Sequence, residues 1–361
     1  MSRTLNELGA YCQKLLPKFI PDNYEIAPVF LSTCSEANAR RGVLAYRDFM
    51  HDLYDQLIAD GSLFVPPKKV EDMNYADEHH GWSSPTYQFI RSVAVVLSNI
   101  GMGVFNNTRD ALLMDSIEAF TAGNHLSSQK MTNKRKIQCL QLLMDCGLCI
   151  SGLELSGKVP VATHEPILIT YPKHPQMLAG LKMMATVQRE FGSKYIGEIL
   201  LRCDFRALAN KQPEALLVLK DLLCHLPSGV QAFMLDLHRD YMKHGFKCDT
   251  YYGSDTRFEY FCRSKELWRF NMTFNNGYNI TIKATNTDKY PELVKQLPHW
   301  LQERVARGYG CGKKMGITTH CDSGCRGYCI PLDDSVVEIS HVVRKWLEAE
   351  MSCITKQHMS L

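Results

Sequence analysis

From about Gly245 onward, the apolar residues of this 361-residue chain stop recurring at helical spacing and begin to alternate, and this change of period restricts the fold most. Before it, apolar positions recur every three to four residues between helix start and stop signals. After it, Phe258 to Cys262, Trp268 to Phe274 and Tyr278 to Ile282 alternate as half-buried strands, and Asn276-Gly277 supplies the residues a tight hairpin needs at positive φ. Helices followed by an antiparallel meander make an α+β protein: mainly α-helical over the N-terminal two thirds, with a small antiparallel-sheet domain at the C-terminal end.

Ser35-Glu36 opens a helix with Val43, Tyr46, Phe49, Met50, Leu53, Tyr54 and Leu57 on one face, and Gly61 closes it. A second helix is predicted from about Pro85 to Gly101, a third from about Arg109 to Phe120, and a fourth from about Asn133 to Cys146, stopped by Gly147. Ile150 to Pro166 is rich in glycine, proline and small polar residues, and Ile167 to Tyr171 then reads as a strand. Helix, turn and ribbon in that order are winged-helix-like. Helices resume at about Gln176 to Phe191, Lys194 to Leu208, Pro213 to Leu226 and Gly229 to His244. Two more, Glu292 to Arg307 and Asp334 to Met351, flank a glycine-rich cysteine segment. The length suits domains of about 100 to 200 residues each. The expected division is a helical region 1–130, a winged-helix-like and helical middle domain 131–244, and an α+β domain 245–361.

With 41 basic and 38 acidic residues, the chain is too near charge balance to attract nucleic acid or membrane by bulk electrostatics. Met1 to Glu7 has no cationic segment leading into an apolar run, and the longest mainly apolar stretch, Val93 to Phe105, is shorter than the roughly 20 residues a spanning helix needs. The expectation is a cytoplasmic chain without membrane contact. Its 14 cysteines then read as free thiols or metal ligands and not as a disulfide framework.

Cys311, Cys321, Cys325 and Cys329 fall within nineteen residues, with nine, three and three residues between successive thiols. Four thiolates complete a tetrahedral shell, and glycines at 308, 310, 312, 324 and 327 let the backbone bend toward one centre. Soft ligands favour zinc over hard cations, so the expected cofactor is a structural Zn2+ that staples the fold and does no catalysis. The competing reading is reduced thiols in a loop or edge strand. Cys146-Gly147-Leu148-Cys149 has the spacing of a redox pair, but it ends a helix, where the dipole disfavours thiolate; a helix stop with buried thiols is expected. Asp77-Glu78-His79-His80 reads as a solvated loop, and Gly308 to Gly312 lacks the strand-to-helix context of a dinucleotide cradle. Lys130, Lys134, Arg135 and Lys136 crowd the start of the fourth helix. On a winged-helix scaffold such a cluster can meet phosphates, although the same shape also serves protein–protein contacts.

The helix ending in Asp145-Cys146-Gly147-Leu148, the strand running into Tyr171-Pro172-Lys173-His174-Pro175-Gln176-Met177, and the hairpin, helix, cysteine loop and last helix from Phe258 to Met351 resemble uncharacterised bacterial proteins with a helical N-terminal part and a cysteine-bearing α+β C-terminal module. The resemblance spans about two thirds of the chain in order. It implies no activity and carries over no catalytic residue. The function expected from the sequence is a binding or regulatory role, with a protein partner ahead of nucleic acid. The alternatives are an enzyme with an unrecognised active site and a winged-helix DNA-binding regulator.

Overall fold

The computed structural model describes residues 4–31, 34–66, 85–122, 131–155, 157–190, 198–209, 214–251, 256–273, 277–308 and 327–357. The chain forms two compact units, Met1–Pro213 and Glu214–Leu361. The division falls inside the segment that the sequence reading assigned to a single middle domain, and the helices after 213 belong with the C-terminal sheet.

The first unit runs α1 (Leu5–Lys14), α2 (Glu36–Phe64), α3 (Pro85–Met102), β1 (Val104–Phe105), β2 (Ala111–Met114), α4 (Ile117–Thr121), α5 (Asn133–Asp145), β3 (Cys149–Ser151), β4 (Leu153–Glu154), β5 (Val161–Ala162), β6 (Ile167–Thr170), α6 (Met177–Glu190) and α7 (Glu198–Arg202). Side-chain caps start several of these helices. Thr4 and Glu7 form a reciprocal capping box on α1, and the side chains of Ser35 and Thr132 accept from the Asn38 and Arg135 amides.

Helix α6 packs against both α2 and α3, and small residues set how closely. A Cβ added at Gly180 would lie 2.0 Å from the Gly42 carbonyl oxygen, and one at Gly101 would lie 2.4 Å from the Ala185 Cβ. From the buried face of α2, the Tyr46 and Tyr54 hydroxyls donate to the Leu200 and Leu201 carbonyls at 3.1 and 2.6 Å. The α6 side chain Gln188 accepts from the Ile199 and Leu200 amides at 2.8 and 3.2 Å, satisfying orphan donors at the start of α7.

The four-stranded sheet of this unit has the order β1-β2-β6-β3, all antiparallel, and β4 and β5 pair as a separate hairpin. Here the structure corrects the helix predicted over Arg109 to Phe120. Arg109 takes φ 59°, the Asn106 side chain accepts from the Asp110 and Ala111 amides, and Ala111–Met114 pairs with β6; only Ile117–Thr121 is helical. A four-residue apolar run has no period to read, and the turn chemistry before it decides for strand.

The second unit contains α8 (Ala215–Leu223), α9 (Ser228–Lys243), β7 (Lys247–Tyr251), β8 (Thr256–Cys262), β9 (Lys265–Thr273), β10 (Gly277–Ile282), α10 (Pro291–Val294), α11 (His299–Gly308), β11 (Tyr328–Pro331), α12 (Asp334–Glu338) and α13 (Ser340–Gln357). Its antiparallel sheet has the order β11-β10-β9-β8-β7. The predicted helix over Glu292 to Arg307 is two helices, because Pro298 has no N–H to continue a ladder and its carbonyl instead starts α11. Strands β7 and β11 went unread, the first for its charged and polar residues, the second because its residues lie in the cysteine segment.

One face of this sheet is the core. Tyr260 and Trp268, opposite each other across β8 and β9, stack at 3.7 Å, and Tyr241 of α9 meets Trp268 edge-on at 5.4 Å. The His238 ring hydrogen-bonds the Tyr260 hydroxyl at 2.6 Å, and Trp346 of α13 packs on Tyr328 of β11. Helix α13 also holds a fully buried carboxylate. Glu350 accepts from the Thr285 amide and hydroxyl at 2.9 and 3.2 Å, from the Asn286 amide and side chain at 3.2 and 2.6 Å, and from the Tyr290 hydroxyl. No helix among the described residues is long and apolar enough to cross a membrane.

Candidate functional site

Alternation along the strands puts the polar residues of the second unit's sheet on the face opposite Phe258, Tyr260, Trp268 and Phe270. Across the strands the register aligns Arg257 with Asn271 and Asn279, and Glu259 with Arg269, Thr281 and Cys329. The amide and hydroxyl groups pair by hydrogen bonds and the charged groups by ion pairs, while Arg269 Nε and Glu266 Oε1 are buried without a hydrogen bond. The Asn271 amide donates to the Asn279 side-chain oxygen and the Thr281 hydroxyl, both at 2.8 Å, and Thr281 donates to Asn279 at 3.2 Å. Glu259 lies 3.4 Å from Arg257 and 3.5 Å from Arg269, while Glu266 lies 3.6 Å from Arg269 and 3.7 Å from Lys283. Glu259, Asn271, Asn279 and Thr281 are buried. A buried polar network is tolerable only when its members are paired, and it then fixes one strand register.

Cys329, the one member of the cysteine cluster among the described residues, sits on this face at the β11 edge. Burial raises its thiol pKa, against the lowering effects of Arg304, a hydrogen bond with Thr281, and Arg269. The Arg304 guanidinium also donates to the Cys329 carbonyl at 3.0 Å. Cys311, Cys321 and Cys325 lie outside the described residues, as do Lys130 and Asp77 to His80. Among the described residues no group of three His, Cys, Asp or Glu side chains is placed to hold a metal ion.

Gly327 leads into β11 at φ 90°, and a Cβ there would lie 2.3 Å from the Thr281 side chain. Gly327→Ala is therefore expected to destabilise the second unit by about 3 kcal/mol, from the left-handed backbone and the overlap together. Gly277→Ala, at φ 62° with nothing within 4 Å of the added Cβ, is the comparison. It should cost about 1 kcal/mol in urea unfolding, and equal losses in the two variants would rule out the contact with Thr281.

The basic cluster on α5 is dispersed. Lys134 is exposed and Lys136 half-buried, while Arg135 turns inward with its guanidinium 5.0 Å from the Phe89 ring centre. Burial lowers the Arg135 pKa. At the other end of α5, Cys146 caps the helix and Gly147 turns the chain at φ 92°. Burial first, then the Asp145 and Asp52 carboxylates, push the Cys146 thiol up to about 12, which keeps it protonated at neutral pH; Cys149 stands exposed on β3.

Sequence reading missed the polar ladder. Its signal is that Arg257 and Glu259, Arg269 and Asn271, and Asn279 and Thr281 alternate with core residues on three successive strands. Polar positions of half-buried strands pass as solvent-facing, and only cross-strand register shows that these meet. No protein-family model, curated protein or solved structure matches the chain.

Proposed function

We propose that the first unit carries a winged-helix-type module that binds a protein partner, giving the chain a regulatory or adaptor role. The observation that carries this is the strand order. A winged helix runs helix, strand, two helices, strand, wing and strand, with the last strand returning between the first two. With β1 as an added edge strand between α3 and β2, helix α3, strand β2, helices α4 and α5, strand β3, the β4–β5 hairpin and strand β6 follow that order, and β6 lies between β2 and β3. Helix α5 then stands in the recognition position, and the hairpin is the wing.

A protein partner is favoured over duplex DNA by what these elements present. Arg135 is withdrawn onto Phe89, so fewer cations face outward, and the wing exposes Val159 and Val161, at 51% and 55%. Phosphate binding needs several outward cations, whereas exposed apolar side chains suit a protein surface. A photo-crosslinking residue placed at Gln141 or Val161 is expected to give a discrete protein adduct in cells that the same group at Lys18 does not. Nucleic-acid adducts, or equal adducts at all three positions, would contradict the reading.

We also propose that Cys311, Cys321, Cys325 and Cys329 hold a structural zinc ion at the rim of the polar sheet face. What supports the reading is the spacing of the four thiols; burial raises the Cys329 thiol pKa, with Arg304 and Arg269 opposing it, so the metal itself would have to hold the thiolate. Elemental analysis of protein purified without chelator should find about one zinc per chain, lost in Cys329→Ser. Metal-free protein with unchanged stability would remove the site.

A further inference from the structure

The second unit holds a cavity of about 300 Å³ lined by residues of α9, α13 and the turn after α9. That volume is at the small end of ligand-binding clefts, and a specific local structure builds its floor. Helix α9 stops at His244, Gly245 takes φ 75°, the Phe246 amide donates to the Tyr241 carbonyl at 3.1 Å, and the Gly245 amide donates to the Met242 carbonyl at 3.1 Å. This Schellman stop folds Phe246 back onto Tyr241, so that the two rings meet edge to face at 4.7 Å.

Charge on the rim is unbalanced. The Arg344 guanidinium holds Asp240 at 2.6 Å, with its centre 5.7 Å from the Phe233 ring, so this pair is neutral and engaged. The His244 ring donates to the Asp240 carbonyl at 2.7 Å. Among the described residues neither a hydrogen bond nor an ion pair engages the Glu348 side chain. Glu348 lines the same cavity as Tyr241 and Phe246, and after burial its charge is the next cause that raises the Tyr241 phenol pKa. The cavity therefore combines two aromatic rings, an apolar lining from Leu237 and Met351, and one uncompensated negative charge.

We propose that this cavity binds a small organic ammonium with an apolar body, the cation paired with Glu348 over the Tyr241 and Phe246 rings. Aromatic faces attract cations, and an anion would meet Glu348 with Arg344 already committed to Asp240. The site is independent of the winged-helix reading, which concerns the first unit.

Calorimetric titration of the full chain with phenethylamine tests it, with 3-phenylpropionate as the anionic analogue. Saturable binding of the amine is expected, weakened about fivefold in Glu348→Gln, an exposed position whose change leaves the fold intact. An Nα-acetyl-lysine amide as a third probe shows whether the cation belongs to a free amine or to a lysine side chain, by which of the two binds more tightly. Equal or tighter binding of phenylpropionate, unchanged amine affinity in Glu348→Gln, or no saturable binding of either amine up to about 10 mM would each overturn the proposal.

Discussion

Gly180→Ala is expected to unfold the first unit at a denaturant concentration well below that of the native chain, with a net loss of about 3 kcal/mol. Alanine gains about 1 kcal/mol over glycine in a helix interior, so propensity alone gives the opposite sign. The contact decides. The added methyl would lie 2.0 Å from the Gly42 carbonyl oxygen and 2.9 Å from the Tyr46 Cβ, and neither backbone nor Cβ can move aside by changing a rotamer. Helices α2 and α6 must part, which loosens the packing around Tyr46 and its hydrogen bond to Leu200. Gly157→Ala is the control, since its Cβ meets nothing closer than 3.6 Å, and it should change stability by less than about 0.5 kcal/mol. If Gly180→Ala is neutral or stabilising, the two helices do not approach as described.

Glu350→Ala is expected to cost the second unit about 3 to 5 kcal/mol. The carboxylate is fully buried, and its removal leaves the Thr285 and Asn286 amides, the Asn286 side chain and the Tyr290 hydroxyl without their acceptor. Glu350→Gln keeps the volume but turns a donor toward donors, so it should recover only part of the loss. The Tyr290 hydroxyl also accepts from the Trp346 indole at 3.2 Å, which joins the clamp to the core under β11. Losses in Glu350→Ala and Tyr290→Phe should then be less than additive, by about 1 kcal/mol or more in a double-mutant cycle. Full additivity would show that the two side chains act separately.

How much was legible in the sequence follows from the range over which each signal acts. The helix Glu36–Phe64 was read because Val43 to Leu57 repeats one face over several turns after Ser35, and all those residues are buried; its end was read one turn early, since Gly61 lies inside the helix and does not close it. The hairpin at Gly277 was read from two residues with a required backbone. Ala111–Met114 was misread as helix because four apolar residues carry no period, and its strand partner β6 is more than fifty residues away. The clamp on Glu350 was invisible for a related reason: its partners sit some sixty residues earlier, and a glutamate in a C-terminal helix ordinarily faces water. Of the candidate metal ligands only Cys329 lies among the described residues, where it shares a sheet face with Thr281 and Arg269, a neighbourhood set by register and not by sequence spacing.

The central claim is that the α5 and hairpin surface of the first unit meets a protein and not duplex DNA. Fluorescence anisotropy of labelled duplex DNA, titrated with the full chain at several salt concentrations, tests it most directly, with Lys134→Glu/Lys136→Glu as the variant. The expected result is weak binding with a shallow dependence on salt and no difference in the variant, because Arg135 is held on Phe89 and, among the described residues, Lys134, Lys136 and Lys158 are the lysines left on α5 and the hairpin to release counterions. Tight binding that falls steeply with salt and is abolished in the variant would contradict the account and make this surface a nucleic-acid interface.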